Sequence, residues 1–136
     1  MVALTAVPFF LTPVGYGQTC PATSLNQAIE QLQHAQQRPE AQKALTQCGE
    51  AAAKPLATAL SDSQPATRLY AAQTLAQMGW QAKSAVPALV AASQEDSDLQ
   101  VRSSAIWTLT KIAQASQTQS EQWQGWQCDR PSRRLG

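Results

Sequence analysis

The chain has 136 residues, a formal net charge of +1 and 43% hydrophobic residues, with charged residues at only 14% against the usual ~25%. That length suits one domain. The near-zero charge argues against nucleic acid, which needs a basic stripe, and no apolar run reaches the ~18 residues of a membrane span. Alanine (24) and glutamine (20) fill the gap left by the missing charges. Ala is the best helix former and Gln ranks high, whereas two Phe and two Tyr are few for strands, which favour aromatic and β-branched residues. The composition predicts an all-α protein.

The first charged side chain is Glu30. Residues 2–14 carry no charge, contain Pro8 and Pro13, and have the length of a signal-peptide apolar region. Gly15 and Gly17 place small residues where cleavage after Gly17 needs them. The basic stretch that should precede such a region is missing, so the competing reading is an apolar arm packed on the first helix. Export is preferred. Cys20 follows Gln18-Thr19, which fits a lipid-anchored cysteine poorly.

The middle of the chain repeats itself. Arg68, Ala71, Ala72, Leu75, Met78 and Gly79 align with Arg102, Ala105, Ile106, Leu109, Ile112 and Ala113 at an offset of 34. Asp62 and Asp96 share that offset. A third copy lies 30 residues upstream: Arg38, Ala41, Leu45, Cys48 and Gly49. In each copy Ala, Leu and an apolar residue fall at i, i+4 and i+7, one face of an α-helix. A further helix precedes each of these. Their stripes are Leu25, Ala28, Ile29 and Leu32; then Ala52, Leu56, Ala59 and Leu60; then Ala82, Ala85, Val86, Leu89 and Val90. Pro55 and Pro87 are expected near helix starts, where a missing N–H costs little. Gly49 and Gly79 are expected as left-handed caps. The unit is therefore a helical hairpin, and three stacked hairpins bury one continuous core.

From Gln114 onward Gln and Ser dominate, and the chain ends with Asp129-Arg130-Pro131-Ser132-Arg133-Arg134. No helical period survives there, which predicts disorder. Trp123 and Trp126 qualify this as large aromatics able to fold back onto apolar surface. The predicted organisation is an apolar segment over 1–17, a repeat domain over 18–115 and a polar tail over 116–136.

The run from Gly79 to Leu89, Gly-Trp-Gln-Ala-Lys-Ser-Ala-Val-Pro-Ala-Leu, followed by Asp96 and Arg102, closely resembles the bacterial HEAT repeat. The subtype is the one named after phycobilisome lyases, common in cyanobacteria. The resemblance covers residues 49–113 well and 24–48 weakly, because the first repeat lacks the turn Asp. It implies a short right-handed α-solenoid of three HEAT-like hairpins. It also implies a non-catalytic scaffold for a protein partner, exported to a periplasm or thylakoid lumen if the N-terminal segment is a signal. The alternative is a phycobilin lyase or lyase accessory subunit acting on phycobiliproteins. Lyase subunits of this subtype are longer arrays and cytoplasmic, which conflicts with the apolar N-terminus.

Asp62 with Arg68, and Asp96 with Arg102, read either as an anion-binding ladder or as turn-stabilising pairs. The resemblance favours the turn. His34 is the single histidine, so a multi-histidine metal site is excluded and a Ser-His-Asp arrangement is improbable. The paired His-Glu iron ligands of HEAT-fold deoxyhypusine hydroxylase have no counterpart here, and no cofactor is expected. Cys20 precedes the first helix and Cys48 ends the second. In an antiparallel hairpin these points lie at the same end, so a bridge fits, conditional on export. The plainer reading makes Cys48 a small core residue, and Cys128 is left over. Tyr70, Trp80 and Trp107 stand off the core positions, and read either as partner contacts or as side chains that pack between repeats or under the tail. The partner-binding residues expected on the second helices are Tyr70, Gln73, Gln77, Trp107 and Lys111.

Overall fold

The computed structural model describes the backbone of residues 20–128 and the side chains of 20–119. The signal-like segment 1–17 and the basic end of the tail from residue 129 lie outside the described residues. Six α-helices follow in order: α1 Ala22–Gln31, α2 Arg38–Cys48, α3 Glu50–Ala59, α4 Pro65–Met78, α5 Val86–Glu95 and α6 Leu99–Cys128. A 3-10 segment, Gly79–Ala85, leads into α5. No strand occurs among the described residues.

The helices pair as α1–α2, α3–α4 and α5–α6. First helices also stack on first helices (α1–α3–α5), and second helices on second helices (α2–α4–α6). The architecture is a short α-solenoid. Its core is one contiguous cluster in which Leu32, Leu45, Leu56, Leu75 and Leu89 are fully buried. Each such side chain contributes about 2 kcal/mol by leaving water. Alanines 41, 52, 53, 71, 72, 82, 85 and 105 fill the space between them, and their small size lets the helices approach closely.

Position in the stack modifies the expected stripes. Val90 is 38% exposed, and Leu109 is only half-buried. Both belong to the last hairpin, where no further repeat covers the outer side. The middle second helix, α4, shows the reverse. It buries Thr67, Ala71, Ala72, Thr74, Leu75, Ala76 and Met78, because it packs against α2, α3 and α6 at once.

The punctuation residues also differ from expectation. Pro55 lies inside α3 rather than at its start. The carbonyl it leaves unbonded is that of Ala51, an exposed residue, so water can satisfy it. Pro87 does stand in the first turn of α5, and the 3-10 segment absorbs the residues before it. Gly49 and Gly79 have φ +56° and +58°, but ψ −134° and −127°. That is not the left-handed helical cap. It is a region open to glycine alone, since a Cβ would clash there. It turns the chain in one residue, so α3 starts at Glu50 with no loop.

The tail boundary shifts for the same reason. The residue 34 positions after Gly79 is Ala113, which has no access to that conformation. α6 therefore does not turn at 113. It runs on to Cys128, through residues expected to be unstructured. Gln, Ala and Ser provide no helix stop before Gly125, which α6 passes through, and the proline at 131 comes later.

Candidate functional site

The recurring arginines are engaged at the turns between the helices of each hairpin. Each donates to the main-chain carbonyl six residues back: Arg38 Nε to Leu32 at 3.0 Å, Arg68 Nη1 to Asp62 at 2.9 Å and Arg102 Nη1 to Asp96 at 2.7 Å. These bonds satisfy carbonyls that the preceding helix end leaves free. Arg68 also reaches into the next hairpin. Its Nε and Nη2 meet Asp96 Oδ2 and Oδ1 at 2.8 and 2.9 Å, a bidentate pair with side chains only 11% and 5% exposed. The guanidinium bond holds the Asp96 carboxyl below the ordinary carboxylate value, and the pair raises Arg68 above its ordinary value. The Asp96 carboxylate accepts the Asp98 N–H as well, and Asp62 accepts that of Gln64. The ladder is thus a joint between repeats. The groove beside it, lined by Leu60, Asp62, Ala88, Ala92 and Glu95, opens onto an ion pair whose charges are already matched.

Arg38 departs from this pattern. Its guanidinium lies 3.5 Å from the centroid of the Tyr70 ring, a cation–π contact between repeats. Tyr70 is half-buried and packs on the core cluster. One face of its ring is therefore committed, and it offers a partner less than a free aromatic would.

The other residues expected to bind a partner fall on one solvent strip. Gln73 is half-buried on α4, while Gln77, Trp107 and Lys111 are exposed. Trp107 is 52% exposed, with the Lys111 ammonium 5.4 Å from its ring centroid. The repeat offsets set these side chains in rows across α2, α4 and α6: Lys43, Gln73 and Trp107; then Gln47, Gln77 and Lys111. Lys43 and Gln47 are exposed on α2. The sequence reading passed over both, although the offset of 30 points to them. Trp80 is 37% exposed and stands in the 3-10 segment rather than on a second helix.

At the opposite end of the first hairpin, Cys20 and Cys48 are paired, their Cα atoms 5.9 Å apart. Cys48 is half-buried against the core as well, so the two readings of it are compatible. His34 lies exposed in the turn between α1 and α2, rather than on a helix. Among the described residues no group of three or more His, Cys, Asp or Glu is placed to hold a metal ion. None of their helices is long and apolar enough to cross a membrane.

A family model described as HEAT repeats matches residues 23–110. No curated protein and no solved structure matches the chain significantly.

Proposed function

The chain belongs to the HEAT-repeat family, and from that premise we propose that it is a non-catalytic module that binds a protein partner through its second helices. The observation that carries this is the strip of aligned side chains on α2, α4 and α6, ending in the exposed Trp107 with Lys111 beside it. The inner faces of these helices are committed to packing. The strip offers amide hydrogen bonds and an aromatic anchor, with the ammonium groups of Lys43 and Lys111 beside them, a chemistry suited to specific contact with a neutral or mildly acidic surface.

The module acts outside the cytoplasm in this reading. Support comes from the uncharged segment 1–17 and from the pairing of Cys20 with Cys48, since disulfides persist in oxidising compartments. N-terminal sequencing of protein from its native host checks this. Recovery of residues 1–17 still attached in the cytoplasm, with both thiols free, would end the export reading. The phycobilin lyase alternative rests on repeat subtype alone, and no feature of the strip favours it.

The binding test begins with the partner recovered on tagged protein from the native host. Trp107→Ala should weaken its binding by at least about 1 kcal/mol and leave helix content intact. Unchanged binding, together with loss on replacing Arg130, Arg133 and Arg134, would transfer the interface to the basic tail.

A further inference from the structure

The last hairpin exposes what the middle hairpin keeps covered. Ala72 of α4 is fully buried on a helix that packs against α6. The Thr108 hydroxyl of α6 donates to its carbonyl at 2.9 Å. The residue one repeat later, Ile106, is 56% exposed, and Leu99, seven residues earlier on the same helical face, is 68% exposed. Arg102 lies between them. Its counterpart Arg68 holds its own turn with Nη1 and the next hairpin's Asp96 with Nε and Nη2. Arg102 holds its own turn with Nη1, but no carboxylate among the described residues meets its other two nitrogens. Terminal repeats of a stable array ordinarily present a polar outer face. This one presents two large aliphatic side chains and half of an ion pair.

The two ends of the array are not alike. At the turn position where the later hairpins have Asp62 and Asp96, the first has Leu32, fully buried. A second copy stacked head to tail would therefore set Arg102 against Leu32. A two-fold pairing of the α6 face would set two arginines against each other, and the Asp96 carboxylate is already held on both oxygens by Arg68. Charge complementarity points to a different molecule.

We propose that the outer face of α6 docks an α-helical hairpin of another protein that carries an aspartate or glutamate in its turn. The docked hairpin continues the solenoid in trans. Its helices cover Ile106 as α6 covers Ala72, with Leu99 at the rim like its exposed counterpart Pro65, and its turn carboxylate takes the Arg102 fork as Asp96 takes that of Arg68. This surface adjoins the strip containing Trp107 but shares no residue with it, so substitutions at Ile106 and at Trp107 test the two readings separately.

The probe is the chain's own third hairpin. A copy of residues 79–112 inserted after Ile112 restores the glycine turn and supplies an acidic-turn hairpin in cis. The extended protein should melt in one transition, about 5 °C above the parent. Replacing the inserted copy's aspartate by Asn, or Arg102→Gln, should each remove most of that gain, and the two together no more than either. Separate melting of the insert, failure to fold, or additive effects would overturn the proposal. In the unextended chain, a photo-crosslinker in place of Ile106 should capture, in the native host, a helical hairpin with an acidic turn. Adducts to any other structure, no adduct, or a homodimer dispersed by Ile106→Lys would overturn it too.

Discussion

At the level of single side chains, three threonines are the residues that composition and period hide. Thr67, Thr74 and Thr108 are buried among aliphatics. Thr74 donates to the Tyr70 carbonyl at 2.7 Å, and Thr108 to those of Ser104 and Ala72. The Thr67 hydroxyl has no hydrogen-bond partner among the described residues. An unsatisfied buried hydroxyl costs about 1–3 kcal/mol. Thr67→Val, which keeps the shape and removes the polar atom, should therefore hold or raise stability by about 1 kcal/mol, read by urea unfolding. A loss above that size would mean the hydroxyl is satisfied in solution. Asp96 gives a second test. Its folded pKa is depressed by Arg68, so its stabilisation is full above the unfolded carboxylate value of about 4 and fades as pH falls below it. Asp96→Asn should lower stability at pH 7 by about 3 kcal/mol, since it strands Arg68 in a largely buried site, and should flatten the acid limb of the stability profile. An unchanged acid limb would show that the pair is not formed.

Among the helices, α4 and α6 depart most from what their sequences suggest, for opposite reasons. A helix covered on several sides has no single apolar face, and α4 is such a helix. Its Arg-x2-Ala-x3-Leu register identified the inner stripe but not Ala72, Thr74 or Ala76, which face its neighbours. α6 lacks cover on its outer side, so the apolar residue aligned with buried Ala72 stands in solvent. Glycine at one repeat position ends two of the three second helices. Gly79 turns the chain at φ +58°, and Ala113 does not. Gly79→Ala should cost about 1–3 kcal/mol through backbone strain, although the new Cβ would meet only the Ala115 methyl at 3.4 Å. A cost near zero would mean the turn is not held in that conformation.

Across the molecule, the described solenoid is held by repetition and by the pairing of Cys20 with Cys48. α1 buries few residues, Leu25 and Ala28 with Leu32 just beyond its end. The Cys20–Cys48 bridge, spanning 28 residues, fastens its start to the end of α2. Closing a loop of that length is worth about 3–4 kcal/mol. Cys20→Ala should therefore lower stability by that amount and raise amide exchange first in α1, while α4 stays protected. Uniform loss of protection would show that α1 does not open separately.

The sequence by itself determined the all-α class, the three hairpins, the inner leucines and the juxtaposition of Cys20 with Cys48. Each of these follows from local spacing: a period of 3.6 fixes a helix face, and a repeat offset fixes which faces meet. Only the tertiary structure decided which flanking positions are covered, because cover depends on whether a neighbouring repeat exists. That is why Tyr70 lies under Arg38 while Trp107, two helices from α2, stays in solvent. It is also why Arg68 has a carboxylate from the next hairpin, whereas Arg102, at the same repeat position, has only its own turn among the described residues.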